Sequence, residues 1–361
     1  MRNLAPPPPE LLARQSRPVQ WLFLLALSVL LAAAFEFGRL PAALLIGPML
    51  AAIFCGVNGA VIRPNRWFFM GSQAVVGCLI ASSVQPQIFA SFMNEWPLFL
   101  AIVLATLVAS SLLGYMISRW KVLPGTTAVW GSTPGAASAM VLMADAFGAD
   151  ARLVAFMQYL RVIFVSVAAA VIARLWVDTS GVEPPAIVWF PAIEWQALLA
   201  TVAVAAVGAA LGRAVRLPAG TFLGPMILGI ALHLGGGVEL QLPPWLLAAS
   251  YAVIGWSIGL NFTRTILKHA ARALPQIIAS IVVLITFCAT LGFAMSRALG
   301  IDPLTAYLAT SPGGMDSVAI IAAASNRVDL SFVMALQTAR FLIVLVAGPP
   351  LARLLARSVR D

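Results

Sequence analysis

Apolar stretches alternate with short polar joints along almost the whole chain. Most run for roughly 17 to 25 residues, the length a helix needs to cross about 30 Å of hydrocarbon. In the first half they start near Trp21, Ala42, Trp67, Trp96 and Arg152, and in the second near Trp195, Ala219, Trp245, Pro275 and Ser331. One more apolar segment in each half is broken by proline and glycine: Thr133-Pro134-Gly135-Ala136-Ala137-Ser138 first, then Ser311-Pro312-Gly313-Gly314-Met315-Asp316.

The two breaks belong to a duplication. Leu40-Pro41-Ala42 with Gly47-Pro48-Met49 recurs as Leu217-Pro218-Ala219 with Gly224-Pro225-Met226. Trp67 and Gly77 recur as Trp245 and Gly255, Gly114 with Ser118-Arg119 as Gly292 with Ser296-Arg297, and Gln158-x-x-Arg161 as Gln337-x-x-Arg340. Spacings of 177 to 179 residues throughout describe one long unit copied with single-residue indels, far larger than a solenoid repeat. Each half reads as one structural unit of about six apolar segments. The chain divides into a polar, disordered tail over 1–20, a first membrane repeat over 21–177, a linker over 178–191 and a second membrane repeat over 192–361.

Composition agrees. Hydrophobic residues make up 61% and charged residues 10% of 361, and a mean hydropathy of +0.97 excludes a soluble domain. The net charge of +9 points to no nucleic-acid surface, because the basic residues sit in short joints, as the positive-inside bias requires. Cys55, Cys78 and Cys288 lie in apolar runs and read as packing residues. Leu31-Ala32-Ala33-Ala34 resembles a signal-peptide cleavage site, but the run from Trp21 fits the first span of the repeat.

Charge also bears on topology. If every segment crosses, Lys and Arg outside Arg161 and Arg340 divide 12 to 8; if each Pro-Gly segment fails to cross, they divide 16 to 4. The second arrangement gives about ten transmembrane helices, both termini cytoplasmic, and two re-entrant segments entering from opposite faces. Inverted repeats of this kind suit alternating access. A broken helix that crosses, with a neighbour that does not, scores nearly as well.

The breaks carry the candidate chemistry. Pro134-Gly135 and Pro312-Gly313-Gly314 free backbone groups that hydrocarbon tolerates only where protein, water or ligand satisfies them. Thr133, Ser138 and Ser311 add hydroxyls, and a half-helix after each glycine aims its positive end at the gap. The alternative is a packing kink with hydroxyls bonded back to the helix. Asp316, a carboxylate within an apolar segment, reads as an ion- or proton-coupling group, or as a helix cap. Arg161 and Arg340 lie about ten residues deep, near 15 Å, each sharing a helix face with Gln158 or Gln337. Two such donor pairs suit an oxyanion bound through the planar fork. On a structural reading, one arginine neutralises Asp316 and the other bonds freed carbonyls. Asp145, Asp150 and Asp329 read as solvated or capping groups. No metal site, cofactor motif, phosphate loop or nucleophile elbow is present, so no enzyme is expected.

The duplicated unit, with T-P-G-A-A-S-A-M from Thr133, S-P-G-G-M-D-S from Ser311 and the two Q-x-x-R pairs, resembles the bacterial AbrB membrane-protein family over about residues 21–357. That family carries a duplication domain, and its members are labelled regulators of gene expression and ammonia monooxygenases. It is also similar to cation-proton antiporter and anion-transporter folds. Ala136 and Ala139 stand where the resemblance implies Gly and Glu, which sets the first break apart. The expected protein is an all-α polytopic secondary transporter of the bacterial inner membrane. It moves a small, anionic metabolite coupled to a proton or cation, with its substrate site between the breaks and a homodimer left open. The competing reading is a non-transporting membrane sensor acting indirectly on gene expression.

Overall fold

The computed structural model describes residues 12–38, 42–82, 84, 96–120, 123, 126–135, 137–176, 188–217, 219–313 and 328–360. Among them every regular element is a helix. They are α1 (Arg17–Phe37), α2 (Ala43–Val57), α3 (Arg66–Ser82), α4 (Trp96–Arg119), α5 (Thr127–Ser132), α6 (Ala137–Ala146), α7 (Ala151–Trp176), α8 (Trp195–Ala214), α9 (Gly220–Gly236), α10 (Pro244–Gly259), α11 (Arg264–Leu299), α12 (Pro303–Thr310) and α13 (Leu330–Arg360). Six of these, α1, α4, α7, α8, α11 and α13, are long and apolar enough to cross a membrane. The helices α2, α3, α9 and α10 span 15 to 17 residues, about 22 to 26 Å at 1.5 Å per residue. The chain is an all-α polytopic membrane protein.

Helix starts repeat as the sequence does. Ala42 and Ala219 both adopt the left-handed backbone, at φ 56° and 49°, and α2 and α9 follow them with Pro48 and Pro225 in the interior. Asp302 caps α12 by accepting from the amides of Leu304 at 2.9 Å and Thr305 at 3.0 Å. One expected start is wrong. Pro275 lies inside α11, which begins eleven residues earlier, so Arg264, Lys268, His269 and Arg272 are helical rather than in a joint. Thr263 accepts from the Ile266 amide and caps that start, and Pro275 sits on an exposed flank, where its ring meets no packed neighbour.

The sequence halves are not spatial halves. Helices α1 to α3 pack with α8 to α10, while α4 to α7 pack with α11 to α13, and α7 against α10 joins the two bundles. Each bundle therefore takes half of each repeat. The duplicated glycines are where the copies interlock. A Cβ on Gly77 would lie 2.5 Å from the Phe222 carbonyl oxygen, and one on Gly255 3.1 Å from that of Leu45. In the second bundle Gly114 meets α5 at Val129, and Gly292 meets α12 at Tyr307 and Thr310.

The first Pro-Gly segment enters and returns on one face. The Asp150 amide, which opens α7, donates to Thr127 Oγ1, at the start of α5, at 3.2 Å. In the second repeat the Asp329 amide donates to Thr305 Oγ1 at 3.2 Å. Those two faces are opposite. Gly348 lies 18 residues along α13 from Leu330, about 27 Å at 1.5 Å per residue. There a Cβ would come 3.6 Å from the Trp130 ring, on α5 close to Thr127.

Candidate functional site

A helix leaves its last four carbonyls without intrahelical partners, and a leg that stops in the membrane core must find donors for them elsewhere. The entering leg α5 finds them on α7. Gln158 Nε2 donates to the carbonyls of Trp130 at 2.8 Å and Thr133 at 3.0 Å. Arg161 donates through Nη1 to Thr133 at 2.8 Å and Ser132 at 3.5 Å, and through Nη2 to Gly135 at 3.3 Å. The Gln158 Oε1 atom accepts from Arg161 Nη2 at 2.7 Å, which fixes the pair as one unit.

The second repeat is wired identically. Gln337 Nε2 donates to the carbonyls of Leu308 at 2.7 Å and Ser311 at 3.1 Å. Arg340 donates to Ser311 at 2.6 Å, Thr310 at 3.4 Å and Gly313 at 3.5 Å, and its Nη2 also meets Gln337 Oε1. All four side chains are at most 5% exposed.

Both arginines bond freed carbonyls, the contact considered for one of them, while Asp316, the partner considered for the other, is not among the described residues. Their planar forks are spent on the chain's own carbonyls, and among the described residues the one ion pair is Arg152 with Asp150, at 2.8 Å. Each guanidinium retains one unused donor, because Nε of Arg161 and Nε of Arg340 are buried without a partner, as is Ser132 Oγ. Thr133 Oγ1 bonds back to the Val129 carbonyl at 2.7 Å, the kink-type contact considered for these hydroxyls. Pro134, Ser311, Pro312 and Gly313 are buried, and Gly135 and Ser138 half-buried. The returning leg α6 starts at Ala137, so the amide end of its backbone faces the gap. Asp316, Gly314 and Ala136 lie outside the described residues.

Asp150 and Asp329 act as caps. The Asp150 carboxylate accepts from the Arg152 amide at 3.0 Å, and Asp329 from the Phe332 amide at 3.0 Å. Asp145 is exposed and lines an open cleft of about 660 Å³ between the bundles, with Thr127, Asp150, Arg152, Ser257 and Asn261. Arg152 also donates to the Asn261 carbonyl at 3.0 Å, tying α7 to the end of α10. Sequence reasoning did not single out this cleft, because its walls come from segments more than a hundred residues apart. Cys55, Cys78 and Cys288 are buried and unpaired. Among the described residues no three His, Cys, Asp or Glu side chains group as metal ligands.

The family model described as "Transition state regulatory protein AbrB" matches residues 44–356. The chain is 46% identical over 339 residues to the Escherichia coli (strain K12) protein named "Putative regulator AbrB", covering 94% of this chain and 97% of that one. It is 25% identical over 349 residues to "Uncharacterized protein YhjN" of Bacillus subtilis (strain 168), covering 86% and 87%.

Proposed function

The chain belongs to the AbrB family, and we propose that this member is a secondary transporter of a small anionic metabolite, coupled to a proton or cation. One observation carries the reading: two Pro-Gly breaks, entered from opposite faces, end in freed carbonyls held by buried Gln-Arg pairs. Paired broken helices at the interface of inverted repeats are where secondary transporters bind substrate and ion. The substrate's negative charge would meet the amide end of α6, the hydroxyl of Ser138 and the net positive field of Arg161 and Arg340. Asp316 is the coupling group in this reading.

The bundle interface suits alternating access, because the Gln-Arg clamps fix each hairpin to its own bundle and leave the cleft between bundles free to open or close. The ends of α2 and α10 and the starts of α7 and α11 share one face, through Arg152 on the Asn261 carbonyl and Arg264 on that of Val57. We assign this basic face to the cytoplasmic side by the positive-inside bias and the protein to the bacterial inner membrane. A homodimer is compatible with the apolar outer flanks of α1 and α8.

A second reading, a membrane sensor without transport, draws on the regulator name carried by the Escherichia coli relative. Proteoliposome uptake of a panel of organic anions, with and without a proton gradient, separates the two. Uptake that rises with the gradient in wild type and is lost in a folded Asp316→Asn variant supports the transporter. Binding without uptake across the panel supports the sensor.

A further inference from the structure

We propose that Arg161 holds a small monoatomic anion, chloride being the cellular representative, in a small cavity at the tip of the first hairpin. The cavity is formed by α4, α5, α7 and α11, with Ser132, Arg161 and Ser280 as its polar lining and Met157, Ile281 and Leu284 among the apolar. Its volume is about 10 Å³, room for one particle the size of a water molecule or small ion.

Two donors belong to this lining without a partner, Arg161 Nε and Ser132 Oγ. Arg161 is 2% and Ser132 7% exposed. Ser280 Oγ donates to the Ile277 carbonyl at 2.8 Å, and its hydroxyl becomes a third donor to the anion by rotating away from that contact. An anion accepts from both free donors and requires no acceptor in return. It also supplies a negative charge that the contacts of the Arg161 forks among the described residues, neutral carbonyls and an amide oxygen, do not. A water molecule would satisfy the donors and leave the charge as it is.

The other repeat does not build the same space. Ile102 stands in α4 where α11 has Ser280, and the fully buried Phe99 where it has Ile277. The matching volume beside Arg340 is therefore apolar and bulkier, and the inference is of one ion rather than two. It rests on the anion-handling reading of the hairpin tips and refines it: with the ion on Arg161, the field left for an organic acid is that of Arg340 and the amide end of α6, and the ion site stands whether or not an organic acid is carried.

The test uses the full-length protein purified in detergent. Thermal unfolding is followed in sodium chloride and in sodium gluconate at equal ionic strength, for wild type and for Ser280→Leu, which fills the cavity. Wild type gains a saturable rise in Tm with chloride, and the variant does not. Crystals soaked in bromide give an anomalous peak within hydrogen-bond reach of Arg161 Nε and Ser132 Oγ. An identical Tm in both salts, or water or a carboxylate of the chain itself filling the cavity, overturns the proposal. If Ser280→Leu does not fold, the bromide map on wild type decides. Organic-anion uptake is measured separately: a bromide peak with no uptake retains the ion site and removes the transporter reading.

Discussion

Arg161 Nη1 donates to the carbonyl oxygen of Thr133 at 2.8 Å, so a buried cation from one helix closes the end of another. Its counterpart Arg340 does the same to Ser311 at 2.6 Å. The donors are planar and fixed, and three carbonyls plus a glutamine oxygen converge on each. Arg161→Lys and Arg340→Lys keep the charge and lose this geometry. Each is expected to cost about 2 to 4 kcal/mol, the range for disrupting buried bonds to a charged group, read as a fall in Tm of the purified protein. A Tm within a degree or so of wild type would show that the clamp is not structural.

Gln337→Glu tests the other half of the clamp. It places an oxygen against the carbonyls of Leu308 and Ser311, which now accept from Nε2, while retaining an acceptor for Arg340. Stability should fall by about 1 to 3 kcal/mol from the orphaned carbonyls, unless the new carboxylate's pairing with Arg340 offsets the loss. Comparison with Gln337→Leu, which loses both contacts, separates these terms in the same unfolding assay.

Glycine contacts make a graded prediction. A Cβ at position 77 meets the Phe222 carbonyl at 2.5 Å, one at 255 meets Met49 backbone nitrogen at 3.0 Å, and one at 71 meets nothing within 4 Å. Gly77→Ala is expected to destabilise by about 1 to 3 kcal/mol through overpacking, Gly255→Ala by less, and Gly71→Ala to be neutral or mildly stabilising as a helix former. Equal melting curves for all three would contradict the interlocked packing.

Acid stability should depend on Asp150. Burial pushes its carboxyl upward, but the hydrogen bond and charge of Arg152, with the amides of Arg152 and Leu153, outweigh that and hold it below the usual carboxylate range. A depressed folded value means the contribution is complete above about pH 4, the unfolded value, and is lost as pH falls through the folded one. Asp150→Asn should flatten the acid limb of Tm measured between about pH 2 and 6 and leave the rest of the profile unchanged in shape.

Much of this architecture was legible because hydrocarbon imposes simple rules. Apolar runs marked the helices at Trp96, Arg152 and Trp195 to within a residue of their observed starts, and the Pro-Gly repeats marked the breaks. Charge alone favoured segments that do not cross, and Thr127 against Asp150 shows which segment of the first repeat does so. Other features were hidden. The start of α11 was obscured because Pro275 and four basic or imidazole side chains imitate a loop, whereas an amphipathic helix carries both on an exposed flank. Interleaving of the halves was invisible, since a duplication records ancestry and not which face packs on which. The arginines were legible as buried donors, but both the oxyanion and the freed carbonyls remained open as partners: a sequence shows how many donors are buried, not that broken helix ends occupy the forks of both.

Interlocking of the two copies bears on how the protein is made. Gly77 has its close neighbour in Phe222, and Gly255 in Leu45, so the small-residue faces of α2 and α3 stay unmatched until α9 and α10 have left the ribosome. Two half-chains expressed separately should each be inserted yet remain protease-sensitive, and should become resistant only when both are synthesised in the same membrane.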